Sequence, residues 1–192
     1  MTDLSSKREE ILRCAQSLIV AGGYNGFSYA DISEVVGIRN ASIHHHFPTK
    51  ARLVHELVSQ YRKKVEAGLG ELGRIAKPLK QLQMYAQYWE SCIADGSLPV
   101  CVCAMLATEI PVLPREVADE VRGHFQHLSA WITSVLQRGI KDKSIQLDKP
   151  APIEAEIFIA SVHGALLSAR AHGDAKMFGA IIHPVLARLA KK

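Results

Sequence analysis

The sequence predicts an all-α fold, and three observations carry that prediction. Apolar residues recur three and four apart through nearly the whole chain, the period of a helix with one buried side. No stretch reads as a convincing strand. The segment 31–52, DISEVVGIRNASIHHHFPTKAR, has the form of a helix, a tight turn, a second short helix and a fresh helix start. With 48% hydrophobic and 22% charged residues among 192, the chain is globular, long enough for one large domain or two small ones.

The elements follow in order. Ser6-Lys7-Arg8-Glu9 reads as a capping box opening the first helix, whose apolar stripe is Ile11, Ala15, Leu18 and Ile19. Gly22-Gly23 ends it, and Tyr24 and Phe27 in the following connection are expected to plug a small core. Ser28, with Asp31 three residues on, caps the second helix, which carries Ile32, Val35 and Val36. Gly37 sits where a helix C-terminal glycine belongs. In the next short helix Ile38 and Ile43 supply a buried side, leaving Arg39, Asn40, Ser42, His44 and His45 outside; Phe47-Pro48 ends it, because proline disfavours helix in the residue before it. A helix with an aliphatic inner edge and an outer row of Arg, Asn, Ser and His suits the DNA major groove. Thr49 caps a fourth helix with Lys50 in its first turn, beside helix amides where a backbone phosphate could sit. Leu53, Leu57, Tyr61 and Val65 make this helix a lever between two domains, and 68–77 is the candidate boundary.

Beyond Pro78 the helical pattern continues. Leu79, Leu82, Tyr85, Ala86, Trp89 and Ile93 share a face; a loop over 97–101 leads to a short apolar helix around 103–107. A long helix is predicted over 115–142, then a turn at 148–152, a helix over 153–171 and a final one over 177–189. The helix over 153–171 is apolar on more than one face, so more than one face must be covered. One side can meet its own domain. Small residues Ala155, Ala160, Gly164, Ala165 and Ser168 on the other side would let a second copy approach closely, which predicts a symmetric homodimer. A dimer also places two recognition helices about 34–36 Å apart, one turn of DNA.

The net charge is +4. Its excess lies in residues 1–64, where nine Lys/Arg face six Asp/Glu, as phosphate contact requires. The start lacks the apolar core of a signal peptide and no apolar run reaches the length of a membrane span, so a cytoplasmic protein with free thiols at its four cysteines is expected. No phosphate loop, dinucleotide fingerprint, HExxH, GxSxG or metal-spaced Cys/His set is present; no catalytic residue, cofactor or metal is predicted. His44-His45-His46 point about 100° apart on a helix and cannot share one ion. His124 and His127 share a face and read as a pocket wall or a satisfied pair.

The stretch REEILRCAQSLIVAGGYNGFSYADIS followed by EVVGIRNASIHHHFPTKARLV resembles the start of TetR-family transcriptional repressors. The likeness rests on a glycine turn, an aliphatic residue, a short polar helix, an aromatic pair, His-Phe and a Lys opening the next helix. It implies a helix-turn-helix DNA-binding domain over 1–50, a linker helix over 49–67 and an effector-binding and dimerisation domain over 68–192. It further implies a dimer on a palindromic double-stranded operator, released when a small molecule enters the C-terminal domain. By position, Arg39, Asn40, Ser42 and His44 would face bases or nearby phosphates, His45 and Lys50 the backbone, and Ser28 would cap its helix near a phosphate. The family commonly carries Tyr where this chain has His44 and His45, and histidine is shorter and can charge near neutral pH.

An effector pocket is expected among Tyr85, Tyr88, Trp89, Cys92, Met105, Phe125, Leu128, Trp131 and His163, suited to an apolar or aromatic molecule. Cys101 and Cys103, flanking Val102 at a helix start, offer a second route to induction by oxidation or electrophile attack. Cys14 and Cys92 read as packing residues. A helical adaptor that binds protein and not DNA is the other reading of the same pattern.

Overall fold

The computed structural model describes residues 4–75, 77–96 and 100–191, with residues 4–6 and 75 by their backbone alone. Among these the chain is helical: α1 Leu4–Gly22, α2 Tyr29–Val36, α3 Asn40–His46, α4 Lys50–Ile75, α5 Pro78–Ala94, α6 Val102–Ala107, α7 Arg115–Lys141, α8 Ala151–His172 and α9 Lys176–Leu189, with a 3-10 turn at Ile110–Val112. No strand forms among the described residues; one isolated bridge joins Ile145 and Ala190. No described helix is long and apolar enough to cross a membrane.

The chain divides into two compact units, Met1–Lys64 with Val102–His124, and Val65–Cys101 with Phe125–Lys192. In the first, Ile11, Ala15, Ile19, Ile32, Ile43, Leu53, Val54 and Val58 are fully buried, the inner stripes of α1 to α4. The N-terminal three helices lack enough core of their own, and α6 supplies more: Val102, Cys103 and Leu106 are fully buried and α6 packs on α1. The segment 102–124 therefore belongs, as packing, with the helix-turn-helix and not with the residues that precede it. Periodicity could not show this, since it reports which side of a helix is buried and not what buries it.

Some local expectations change. The α1 helix already runs at Leu4, so Ser6 lies inside its first turn; the Ser6 side chain is outside the described residues. The boundary expected at 68–77 is helical to Ile75. Gly68, Gly70 and Gly73 cost this helix about 1 kcal/mol each relative to Ala, but buried Leu69 anchors the apolar stripe through them. The loop expected over 97–101 falls partly on 97–99, outside the described residues; Val100 and Cys101 are buried.

In the second unit α5 opens with Pro78 in its first turn, where a missing N–H costs no helix bond. It buries Leu82, Tyr85, Ala86, Trp89 and Cys92. The α8 helix buries Ala151, Ala155, Phe158, Val162, Ala165 and Ala169, spaced alternately four and three. Its N-terminal turn is tied to α9 by Glu154, only 1% exposed, which accepts from Arg188 Nη2 at 2.6 Å and Nη1 at 3.0 Å. These bonds hold the Glu154 carboxyl below the usual range despite its burial.

Candidate nucleic-acid interface

The α2–α3 turn is built by backbone constraints that the sequence announces. Gly37 adopts the left-handed conformation at φ 70°, and the N–H groups of Gly37 and Ile38 both donate to the Ser33 carbonyl, at 3.0 and 3.2 Å. The Ser33 hydroxyl donates in turn to the Ile38 carbonyl. At the other end of α2, Asp31 accepts from the Ser28 N–H at 2.6 Å and its hydroxyl at 2.7 Å. Those bonds hold the Asp31 carboxyl below the usual range.

The α3 helix is seated by fully buried Ile43 and by Phe47, 2% exposed. Tyr29 donates its hydroxyl to the Phe47 carbonyl at 2.7 Å, and the Arg8 guanidinium lies 4.9 Å from the centre of the Phe47 ring while pairing with Glu56. Arg39, Asn40, Ser42, His44 and His45 are all exposed, so the outer row predicted for α3 does face outward. His44 packs edge-on against Tyr29, ring centres 4.7 Å apart, with Nδ1 3.3 Å from the Pro48 carbonyl oxygen. His46 is half-buried, and burial with the nearby His45 and Arg8 holds its pKa below the usual value. The exposed set is thus one guanidinium at the N-cap and one amide, one hydroxyl and two imidazoles on the short helix that follows, on a seat that fixes its backbone.

Two expectations are modified. Val35 is 69% exposed, while Ile32 is fully buried; only one edge of an eight-residue helix faces inward, and Val35 falls off it. Val35 lines a shallow groove of about 370 Å³ with Glu10, Arg13, Cys14, Ser17 and Leu18. Lys50 turns inward and not toward solvent. Its Nζ donates to the Phe27 carbonyl and lies 4.0 Å from the Phe27 ring centre and 4.9 Å from that of Tyr24. Burial lowers its pKa, with Glu109 and Asp31 pulling the other way. In this conformation Lys50 braces the Tyr24–Phe27 connection.

Of the residues expected to line an effector pocket, the second unit brings several together. Tyr85 stands 6.0 Å from Trp131 and 6.3 Å from Phe158 between ring centres, Tyr88 lies 5.3 Å from Trp89, and Phe125 lies 5.3 Å from His163. Phe158 was absent from the predicted set; α8 is apolar nearly all round, so its sequence did not say which side meets α5. Leu128 and Cys92 are buried, whereas Tyr88 is 53% exposed; burial, with the Cys92 thiol beside it, pushes the Tyr88 hydroxyl up to about 12. The buried Nε2 of His163 makes no hydrogen bond. Met105 is half-buried on α6 in the first unit. A second groove, of about 400 Å³, opens between α5 and α9 around Lys80, Gln87, Glu90 and His183, and neither groove includes the predicted residues.

His124 is 4% exposed against Tyr61, ring centres 5.6 Å apart, in the first unit. His127 faces Glu66 at 3.6 Å in the second. Cys101 and Cys103 are buried thiols, 1% and 0% exposed, so an oxidant would reach either only through local opening. Of the small residues expected at a dimer contact, Ala155 and Ala165 lie inside their own fold at 0% exposure, while Ala160 and Gly164 are exposed and Ser168 is half-buried. The exposed side of α8 is instead Ile153, Ile157, Ala160, Gly164, Leu167 and Ala171.

Residues 11–57 match the family model for bacterial regulatory proteins of the tetR family, and residues 78–183 match that for the tetracyclin repressor-like C-terminal domain. A TetR-family transcriptional regulator from Agrobacterium tumefaciens is 61% identical, with a TM-score of 0.95 over 98% of this chain and 100% of that one. A TetR transcriptional regulator from Legionella pneumophila is 26% identical, with a TM-score of 0.85 over 98% and 100%. The HTH-type transcriptional repressor KstR2 of Rhodococcus jostii is 32% identical over 75% of this chain and 70% of its own length.

Proposed function

The chain belongs to the TetR family of bacterial transcriptional regulators, and from that premise we propose that it is a ligand-responsive repressor acting in the cytoplasm as a homodimer on a palindromic operator. The observation that carries the reading is the exposed row Arg39, Asn40, Ser42, His44 and His45 on α3, held outward by buried Ile43 and Phe47. Such side chains can bond base edges in the major groove, with Arg suited to guanine and Asn to adenine. Residues 1–50 form the DNA-reading part, α4 the link and the later helices the effector and dimerisation part.

Dimerisation is supported by α8. Its exposed apolar row repeats at alternating steps of four and three, the spacing of a helix seam, opposite the row buried in its own fold. Ile153, Ile157 and Leu167 are 53%, 39% and 64% exposed there. A second copy related by a two-fold axis would cover both rows at once and present two α3 helices to one duplex. The effector reading is supported by the ring cluster around Tyr85, Trp131 and Phe158, by Phe125 and His163 beside each other, and by the unbonded His163 Nε2. That chemistry suits a small apolar or aromatic molecule with one polar group.

Selection of duplexes from a random-sequence pool by the full-length protein tests the reading. The expected product is two inverted half-sites about one helical turn apart, bound with an affinity that falls steeply with salt. Recovery of unrelated sequences would refute DNA reading, and a single half-site bound by one copy would refute the dimeric arrangement.

A further inference from the structure

The α1–α2 connection is held by a residue far away in sequence. The α1 helix ends at Gly22, and Gly23 follows at φ 76° with its N–H on the Ile19 carbonyl at 2.8 Å. The next two amides, of Tyr24 and Asn25, are met by one carboxylate: Glu109 Oε2 accepts from the Tyr24 N–H at 2.6 Å and Oε1 from the Asn25 N–H at 3.4 Å. A side chain at position 23 would collide with that carboxylate. Gly23 therefore meets two demands, a left-handed backbone and room for an acid from another segment.

Glu109 is itself rigidly carried. It sits between α6 and the 3-10 turn, its N–H on the Leu106 carbonyl at 3.0 Å and its carbonyl accepting from the Val112 and Leu113 N–H groups at 2.8 and 3.1 Å. The buried side of α6 packs on α1. On the far side of the connection, the Tyr24 and Phe27 rings flank the Lys50 ammonium, which holds the Phe27 carbonyl. Ser28 follows at once and caps α2 through Asp31. The path is short and polar: Glu109 to the Tyr24 and Asn25 amides, the Tyr24 ring to Lys50, Lys50 to Phe27, and Phe27 to the first turn of α2, which carries α3 through the Gly37 turn.

We infer that Glu109 is a positioning residue for DNA reading, setting from α6 the connection that fixes where α2 begins and hence where α3 lies. The inference rests on the reading of α3 as the base-contacting helix. It makes the turn after α6 part of the DNA-reading machinery, although it lies more than fifty residues past α3. A carboxylate accepting two amides is a charge-assisted clamp, stronger than a neutral contact, and it holds the connection from the side opposite Lys50.

The test uses the full-length protein, a duplex recovered by the wild type from a random pool, and a scrambled duplex of equal length. If the wild type recovers no duplex, DNA reading itself fails, and that outcome is distinct from those below. Glu109→Ala is expected to weaken the selected duplex about tenfold or more, a loss on the scale of one charge-assisted hydrogen bond. It should leave the scrambled duplex nearly unchanged, and the Tyr24 and Asn25 amides should exchange faster with solvent. Glu109→Gln, which keeps the shape and one acceptor, should recover part of the affinity; it also serves if the alanine variant fails to fold. Gly23→Ala should copy the loss, and it should cost less when added to Glu109→Ala, because the collision is gone and only backbone strain remains. Equal loss on both duplexes, unchanged exchange at Tyr24 and Asn25, or wild-type affinity in Glu109→Ala and Glu109→Gln would each overturn the inference.

Discussion

Leu167→Glu should split the proposed dimer, and the size of the effect follows from α8. Ile153, Ile157 and Leu167 are 53%, 39% and 64% exposed, so together they leave about one and a half aliphatic side chains per copy in water. At about 2 kcal/mol for each side chain fully buried, a two-fold contact covering both rows recovers about 6 kcal/mol from these residues. Leu167 contributes about 2.5 kcal/mol of this across the two copies. Its loss alone raises the dissociation constant about 60-fold. Two carboxylates that must leave water raise it further. Sedimentation velocity over a dilution series reads the constant directly, with far-UV circular dichroism to check that helix content is kept. DNA binding by the selected duplex should fall in parallel and recover at high protein concentration. A Leu167→Glu protein that dissociates as the wild type does would refute the reasoning, because no two-fold contact can then cover this row.

Other outcomes follow from the same structure. Arg39→Ala or Asn40→Ala should each cost about 1–3 kcal/mol on the selected duplex and little on a scrambled one, read by titration at fixed salt. Gly37→Ala and Gly68→Ala should move stability in opposite directions although neither added methyl meets an atom within 4 Å. Gly37 has φ 70°, so alanine there costs about 1–2 kcal/mol, whereas Gly68 lies inside α4, where alanine gains up to about 1 kcal/mol; urea unfolding at one protein concentration distinguishes the signs. Glu154 has a carboxyl held below its unfolded value by Arg188, so its contribution is present at neutral pH and is lost as pH falls through the folded value. Glu154→Gln should remove about 1–2 kcal/mol at pH 7, the modest figure reflecting that Arg188 keeps Asp148 and water, and should flatten the acid limb of the stability profile.

Much of the candidate interface was legible in the residues because its constraints are local. Gly37 must be left-handed to stop α2, Phe47-Pro48 must leave the helix, and Ile43 must be buried for a seven-residue helix to hold a place. Those demands act within a few residues, so spacing alone reveals which side of α3 is left outside. The α8 helix shows where spacing fails. Its residues are apolar on two sides, and only packing reveals that Ala155 and Ala165 turn inward while Ala160 and Gly164 turn out. Lys50 shows the same limit at the scale of one side chain. Its position in the first turn of α4 matched a phosphate contact, but the rings of Tyr24 and Phe27 and the Phe27 carbonyl offer its long stem a nearer place.

From the sequence by itself come the helices, the glycine and proline stops, the outward row on α3 and the kinship those residues declare, since each depends on neighbours a turn or two away. Only the tertiary structure decided that α6 belongs with α1, that Glu109 reaches the Tyr24 and Asn25 amides, and that Phe158 meets Tyr85. The physical reason is one of range. A helix's period is written in its own residues, whereas the partner of its buried face is chosen by a chain that closes over tens of residues and leaves no local trace.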